Sequence, residues 1–385
     1  MDNVTHSLVG LAAAKAGLER WSPMATTVCV LAANGPDSDI LAAVWGGRWF
    51  YLQNHRGITH SIVGTLALAL LIPTIFYGAG WLIARIRRKQ TSLKFRGLLF
   101  ASLIVSATHP LLDWTNNYGV RLLLPWNARW QYGDLVFIVD PWLWLIIGGA
   151  AFLLTSQTKW RVAVWTALAL SLTAAIFILT LQRASLGDLL FIHVLWVAGL
   201  ALIALLHLVK VARRWDRLVA FFAFSLVVAY CGALAFAHGR ALVRAEARAN
   251  YLAAQYGETV GRVAAMPTLA NPTRWQCVFE TNRATYRFDL ALNEDESIAK
   301  ERKFVRYEKP AGDEASLVER ASKDERARAL LGFARFPVEQ VEGDCMTETL
   351  VQFADLRYTE PGRTERGTFS LEVPVACTPE GTTSK

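Results

Sequence analysis

Charged side chains are scarce in the first 237 residues of this 385-residue chain, and acidic ones are the scarcest. That part contains 19 Lys and Arg but only 9 Asp and Glu, whereas residues 238–385 contain 21 and 23. An apolar, basic stretch of this length is typical of neither a soluble domain nor a disordered chain. The basic excess therefore indicates loops that orient a membrane protein. A nucleic-acid partner is not expected.

Histidine and common catalytic motifs are missing from the C-terminal part. The last of the seven histidines is His238. No phosphate-binding loop and no serine nucleophile motif follows it, and the whole sequence lacks the His-Glu-x-x-His motif of zinc proteases. The tail contains three cysteines, Cys277, Cys345 and Cys377, which permit one disulfide and one free thiol. These absences favour a binding or packing role for the tail, and they put any histidine-based site near the N-terminus.

Apolar runs near the length that a bilayer-crossing helix needs, about 20 residues, are frequent before residue 238. The predicted spans are 61–84, 97–112, 135–154, 162–181, 189–209 and 218–237. Two shorter apolar segments, 2–17 and 23–33, predict half-length or re-entrant helices. The chain starts with polar residues, and no small-residue cleavage site follows a hydrophobic region, so no signal peptide is expected. The basic loops at 85–96, 159–161 and 210–217 share one side, which the positive-inside rule makes cytoplasmic.

The pattern changes after residue 238 from apolar runs to an amphipathic helix and then to short alternating segments. The predicted strands are 274–281, 285–292, 303–307, 349–358 and 368–376, with one helix near 315–334. The fold class is therefore an α-helical polytopic membrane protein, with about six spans plus short N-terminal helices, and a soluble β-rich (α+β) C-terminal domain. The predicted domains are a membrane-embedded site region (1–155), further transmembrane helices (156–237), a helical stalk (238–266) and the soluble domain (267–385). The site and the soluble domain are expected on the extracytoplasmic side.

Histidines and carboxylates cluster in the apolar part at spacings that suit a metal ion. His109 and Asp113 are four residues apart, so a helix presents both on one face. Asp37 and Asp39 stand on a Pro/Gly-rich turn, and His60 precedes a long span. The two spans joined by residues 85–96 are antiparallel, so His60 and His109 end on the same membrane face. Imidazole and carboxylate together are the ligand set of zinc and neighbouring first-row metals, and buried ionisable groups in membranes usually have a function.

Six further residues complete the candidate site. His6 and His55 are candidate ligands, and His55 has the alternative role of a hydrogen-bond donor to a ligand. Arg56 either binds an anionic group or pairs with a carboxylate of the 37–39 turn. Arg121 is the second candidate for neutralising an anion. Asp134 and Asp140 either take part in catalysis or orient an arginine or a ligand imidazole.

These segments resemble the YdjM-like family of inner-membrane metal-dependent hydrolases. The similar strings are THS at 5–7, PDSD at 36–39, HRGITHS at 55–61 and HPLLD at 109–113, with two further stretches at 116–125 and 132–144. The His-Arg-Gly-x-Thr-His-Ser string is the most specific of them. The resemblance covers about residues 1–155. Ser38 departs from the pattern, because the family often has an apolar residue between the two acidic positions.

The resemblance implies a multi-pass protein of the bacterial inner membrane with hydrolase activity. One or two divalent ions, zinc being favoured, would activate a water molecule against an ester or phosphoester bond. A site at the bilayer edge favours a lipid-linked or anionic substrate. The alternative is a non-catalytic, metal-stabilised membrane scaffold or sensor whose tail binds a partner. A lipid phosphatase with a His109 nucleophile would need an arginine shortly before His109, and none occurs there.

Overall fold

The computed structural model describes residues 1–181, 186–295, 302–343, 349–363 and 368–376. Long apolar helices form the N-terminal part, and two small sheets with two helices form the C-terminal part. The helices are α1 (Asn3–Lys15), α2 (Ala25–Asn34), α3 (Leu41–Asn54), α4 (Ile62–Ile86), α5 (Phe95–Trp114), α6 (Pro141–Leu143), α7 (Gly149–Thr155), α8 (Lys159–Leu181), α9 (Leu186–Leu208), α10 (Val211–Arg214), α11 (Asp216–Gln255), α12 (Asp313–Ala321) and α13 (Glu325–Phe333). The strands are β1 (Val260–Thr268), β2 (Asn271–Thr281), β3 (Ala284–Ala291), β4 (Phe304–Glu308), β5 (Pro337–Glu342), β6 (Thr349–Asp355) and β7 (Ser370–Val375).

The chain forms two compact units. The first consists of Met1–Asp39, Arg56–Ala237 and Pro267–Pro272, and the second of Ile40–His55, His238–Met266 and Thr273–Lys385. The first unit contains most of the apolar helices. The second unit contains α3, the C-terminal half of α11 and both sheets.

Five helices among the described residues are long and apolar enough to cross a bilayer: α4, α5, α8, α9 and α11. The sixth predicted span, 135–154, differs. Its helix begins only at Pro141, passes through a π-helical turn (Trp144–Gly148) and ends at Thr155. The helix from Pro141 to Thr155 is therefore about 22 Å long, which is shorter than the hydrocarbon core of a bilayer at about 30 Å. The protein is thus an α-helical polytopic membrane protein with five candidate spans and one shorter apolar helix.

The two N-terminal helices are short, as predicted, and they pack on α5 through small side chains. Asp2 starts α1 by accepting a hydrogen bond from the backbone N–H of Thr5 at 2.9 Å. A Cβ atom at Gly10 would lie 2.8 Å from the carbonyl oxygen of Cys29, so only glycine permits this approach of α1 to α2. The core between α1, α2 and α5 consists of Ala13, Ala14, Cys29, Ala33, Ala101 and Val105.

A tight turn fixes the start of α4. Ser61 caps this helix by accepting a hydrogen bond from the backbone N–H of Gly64 at 3.1 Å. A side chain at position 64 would overlap the carbonyl oxygen of Ile58. The 3₁₀ turn Ile58–His60 can therefore fold directly onto the first turn of α4 and hold His60 at its end.

Asp140 holds the start of α6. One carboxylate oxygen accepts hydrogen bonds from the N–H groups of Trp142 (2.9 Å) and Leu143 (3.0 Å), and the other accepts one from the Tyr230 hydroxyl (2.9 Å). We expect Asp140→Ala to lower the free energy of unfolding by about 1–2 kcal/mol through the lost cap alone, with a further loss from the unpartnered Tyr230 hydroxyl. Thermal unfolding in detergent checks this. Asp140→Asn, which can still cap, is the matched control; loss of bound metal in that variant would contradict a purely structural role.

The second unit contains two antiparallel sheets. The first has the strand order β1-β2-β3-β4 and the second β5-β6-β7. In the register of β2 with β3, Trp275 faces Leu290 and Phe279 faces Tyr286. Trp275, Phe279 and Tyr286 are buried in the core. The alternating apolar segments of the sequence correspond to strands of these two sheets.

The C-terminal part differs from the predictions in three details. Two helices, α12 and α13, stand where one was predicted, because the chain turns at residues 322–324 between them. Strands β1 and β5 were not predicted. The helical segment predicted at the start of the stalk is continuous with the last span, since both lie within α11. Cys277 is buried with a free thiol, whereas Cys345 and Cys377 lie outside the described residues.

Candidate metal centre

Four predicted ligands meet at one point of the first unit. The structure brings Asp37, His60, His109 and Asp113 together so that one ligand atom from each lies within 4.8 Å of the others. Asp37 lies on the 3₁₀ turn after α2, His60 on the turn before α4, and the other two on α5. The one-face arrangement of His109 and Asp113 follows from their spacing. The group therefore joins three segments that are distant in sequence.

A backbone carbonyl orients His109. Its Nδ1 lies 2.6 Å from the carbonyl oxygen of Ala33. A carbonyl can only accept, so Nδ1 carries the proton, and Nε2 presents its lone pair. That Nε2 lies 3.4 Å from Asp113 Oδ2 and 3.6 Å from Asp37 Oδ1. The arrangement matches metal-binding histidines, whose second ring nitrogen donates to a carbonyl or carboxylate.

Asp39 stands on the far side of His60. The Oδ2 atom of Asp39 lies 3.3 Å from His60 Nδ1 and also accepts a hydrogen bond from the backbone N–H of Arg56 at 2.9 Å. The Nε2 atom of His60 then faces Asp113 Oδ2 at 3.2 Å and Asp37 Oδ1 at 3.3 Å. Burial lowers the pKa of the His60 imidazole, but the three surrounding carboxylates outweigh burial and raise that pKa to about 10. These carboxylates favour a positive charge at this position, carried by a proton or by a metal ion.

The four residues could hold a metal ion. The Nε2 atoms of His60 and His109 are 3.1 Å apart, and two lone pairs at that separation repel each other unless a proton or cation lies with them. Asp37 Oδ2 and Asp113 Oδ2 are buried and accept no hydrogen bond of normal geometry from the described residues, although the Nε2 atoms of both imidazoles lie within 3.4 Å of Asp113 Oδ2. Buried acceptors without donors are costly. Two imidazoles and two carboxylates in this state fit a divalent ion of the zinc type.

Asp113 is the most heavily engaged carboxylate. Its Oδ1 pairs with Arg56 Nη2 at 2.9 Å and also contacts the α-amino group of Met1. Arg56 is buried, and its Nη1 donates to Asn116 Oδ1 at 2.9 Å. The ion pair predicted for Arg56 with the 37–39 turn is thus wrong for the side chain, because the guanidinium reaches Asp113 and only the backbone N–H reaches Asp39.

His6 lies at the edge of the group. Its ring stacks on His109 with the centroids 3.8 Å apart. Its Nε2 is 3.4 Å from Asp113 Oδ1, and neither ring nitrogen makes a hydrogen bond within the described part of the chain. The imidazole is fully buried. A buried imidazole without hydrogen bonds, next to a ligand carboxylate, can accept a proton or bind an ion.

The remaining predicted residues lie outside the four-residue group. His55 follows α3 and stacks on Tyr51 within the second unit, with centroids 4.6 Å apart. The Arg121 guanidinium lies over a tryptophan ring. Asp134 is buried at a left-handed backbone position, with φ of 54°, and Asp140 caps α6.

Sequence reasoning missed two parts of the centre. The carbonyl of Ala33 has no side-chain signal, and only the contact of α2 with α5 reveals it. Asn116, which holds Arg56, lies in a stretch that resembles the family but has no recognisable spacing to the ligands. Both act by fixing the orientation of groups that the sequence did identify.

We expect Asp39→Asn to weaken metal affinity by about 10–100-fold, because the carboxylate orients His60 without belonging to the four-residue group. Competition with a chromophoric chelator measures this affinity. Asp216→Asn, an exposed carboxylate of α11, is the control. Full affinity in Asp39→Asn would refute the orienting role, and complete loss of metal at saturating concentration would make Asp39 a ligand.

Comparison with known proteins gives two relatives and one family. Inner membrane protein YbcI of Escherichia coli (strain K12) is 29% identical over 180 residues, which cover 41% of this chain and 96% of YbcI. Uncharacterized protein YfhP of Bacillus subtilis (strain 168) is 26% identical over 155 residues, which cover 38% of this chain and 43% of YfhP. The chain thus spans less than half the length of YfhP. No solved structure matches it significantly.

The family comparison covers the region that contains the metal centre. Residues 1–186 match the model of the YdjM inner membrane protein family. This match and the five apolar helices support a multi-pass inner membrane protein. Residues 1–186 of this chain are thus similar to the YdjM inner membrane protein family.

Proposed function

We propose that this protein is a membrane-bound metal-dependent hydrolase that cleaves an ester or phosphoester bond with an activated water molecule. The observation that carries the proposal is the group of two imidazoles and two carboxylates, three of them buried, beside a histidine whose ring nitrogens make no hydrogen bond with the described residues. A merely structural polar cluster would satisfy these atoms with hydrogen bonds. Residue chemistry of this type recurs in sites that activate water.

Each residue has a defined task in this proposal. Asp37, His60, His109 and Asp113 hold the ion, zinc being favoured, and Asp39 orients His60. A bound divalent ion supplies Lewis-acid activation of water at neutral pH. His6 would serve as a proton acceptor, because its ring nitrogens make no hydrogen bond within the described part of the chain and its Nε2 lies 3.4 Å from Asp113 Oδ1. Arg56 pairs with Asp113 Oδ1, which would leave Oδ2 available to hold the ion.

The substrate in this proposal is lipid-linked or anionic. The centre lies beside the first turn of α4 and the last turn of α5, which are the ends of two candidate spans. Of the four side chains that would hold the ion, that of Asp37 is partly exposed (12%) and the other three are fully buried. The substrate therefore approaches past Asp37. Arg121, on the loop after α5, neutralises an anionic substrate group.

The proposed orientation follows the basic loops. Exposed arginines and lysines lie between α4 and α5 and between α9 and α11. Cytoplasmic loops attract such residues. The centre lies at the other ends of α4 and α5 and is therefore extracytoplasmic in this proposal, as is the C-terminal unit.

A substrate screen with purified protein tests the hydrolase. Metal-loaded wild type is assayed against p-nitrophenyl esters, bis(p-nitrophenyl) phosphate and phospholipids in mixed micelles. We expect turnover that His109→Ala abolishes. His193→Ala is the matched control, because His193 bonds Thr180 at 2.9 Å and lies outside the metal group. Turnover that survives in His109→Ala would refute the assignment.

One observation favours the second candidate, a metal-stabilised scaffold or sensor. Four protein ligands complete a tetrahedral shell, and closed four-ligand sites are typical of structural zinc. In that case metal removal lowers the thermal midpoint sharply while wild type hydrolyses nothing in the screen. X-ray absorption of the metal-loaded protein separates the two, since an additional water ligand supports catalysis and a closed shell of four protein ligands supports the scaffold.

A further inference from the structure

A second polar cavity lies at the opposite end of the first unit. It measures about 580 Å³ and lies between the C-terminal ends of α1, α7 and α9 and the start of α8. Helix α1 begins beside the metal centre with His6 and ends at Lys15, which lines this cavity. A helix of that length rises about 20 Å. The cavity is therefore separate from the metal centre.

Basic side chains without acidic partners line this cavity. Lys159, Lys210 and Arg213 have no carboxylate within 4.0 Å among the described residues. The two acidic residues that line it pair with other basic residues, since Glu19 pairs with Lys15 at 2.6 Å and Asp216 pairs with Arg20 at 3.4 Å. Three uncompensated cations around one cavity attract an anion.

An apolar groove extends along the same helices. It measures about 280 Å³ and is lined by the π-helical turn, α7, α8 and α9. Val162 lines the basic cavity and Trp165 lines the groove, so they are one helical turn apart on α8. On α9 the same holds for His207 and Ile203. The groove therefore runs toward the basic cavity.

We propose that the basic cavity and the groove together bind one anionic phospholipid, with the phosphate among Lys159, Lys210 and Arg213 and an acyl chain along the groove. Basic pockets between transmembrane helices are known to suit anionic headgroups. A free phosphate compound would use the cavity alone and leave the groove without a role. The groove thus selects the lipid, and the distance to the metal centre makes this lipid an accessory ligand that is separate from any substrate.

The basic residues have an ordinary alternative role, because loop cations also orient a protein in the membrane. A matched variant separates the two roles. Lys159→Gln/Lys210→Gln/Arg213→Gln removes three charges that line the cavity. Arg87→Gln/Lys89→Gln/Lys94→Gln removes three charges of the same types from exposed positions between α4 and α5. Both variants lower the net charge equally.

Native mass spectrometry of the full-length protein in detergent measures the binding. Phosphatidylglycerol is titrated against wild type and both variants, with phosphatidylcholine as the zwitterionic lipid and glycerol phosphate as the headgroup alone. We expect phosphatidylglycerol to bind wild type and the exposed-charge variant alike, and the cavity variant at least about tenfold more weakly. Ala169→Phe, which fills the groove, should weaken lipid binding without removing a charge.

Each opposite result overturns the proposal. If phosphatidylcholine bound as tightly as phosphatidylglycerol, or if both charge variants lost lipid binding equally, the three cations of the cavity would not recognise the anionic headgroup. Glycerol phosphate that displaces the lipid at equal concentration would show that the cavity takes a soluble phosphate. The thermal unfolding midpoint of the cavity variant in detergent serves as a folding check and should equal that of wild type, so this test does not depend on the hydrolase proposal.

Discussion

Replacing His60 or His109 with alanine should remove the bound metal from the purified protein. We expect wild type in detergent to retain one or two equivalents of a transition metal. Each variant loses one of four ligands, and the affinity should fall by at least about a hundredfold, since even losing an orienting partner costs about 10–100-fold. Elemental mass spectrometry after dialysis against a weak chelator measures the content.

Two controls make the result specific. His193→Ala removes an imidazole of α9 that bonds Thr180 and should leave the metal content unchanged. His6→Ala removes an imidazole that stacks on His109 from outside the four-residue group. Retention of metal in His6→Ala would support its role as proton acceptor, whereas loss would make it a ligand. Wild type without metal after reconstitution would refute the metal centre and, with it, the hydrolase.

Replacing Asp113 with asparagine should have the second large effect, because this carboxylate serves the ion and Arg56 at once. The side chains of Asp113 and Arg56 are 0% and 4% exposed. Removing one partner of a buried ion pair leaves the other charge uncompensated, at a cost of about 3–5 kcal/mol. We expect Asp113→Asn to lose metal and to unfold at a markedly lower temperature in detergent. Differential scanning fluorimetry and elemental analysis check the two effects together.

A double variant separates the two roles of Asp113. Replacing both partners by apolar residues, Asp113→Leu with Arg56→Met, removes the uncompensated guanidinium, although the α-amino group of Met1 still loses its contact with Asp113. Such replacements of a buried pair are often nearly neutral. The double variant should therefore recover much of the lost thermal stability while still binding no metal. Asp216→Asn, whose carboxylate is exposed and paired with an exposed arginine, should change neither property. A double variant as unstable as Asp113→Asn would contradict the explanation.

The sequence by itself determined the elements that depend on local patterns. Continuous apolar runs predicted five helices that the structure contains, and alternating runs predicted five of the seven described strands. The four-residue spacing of His109 and Asp113 fixed their common helix face. The antiparallel order of two neighbouring spans was enough to bring His60 to the same end. In each case the pattern that makes the prediction lies within one segment of the chain or in the order of two neighbouring spans.

The tertiary structure decided the parts that depend on contacts between distant segments. Nothing in the spacing of Asp37 and Asp39 shows which one faces the other ligands and which one orients His60. Hydropathy counted 135–154 as a span, although Asp140 starts its helix only at residue 141. Arg56 pairs with Asp113, a residue far along the chain. Burial, the direction of a lone pair and the choice of an ion-pair partner depend on atoms from other helices, and only packing brings those atoms together.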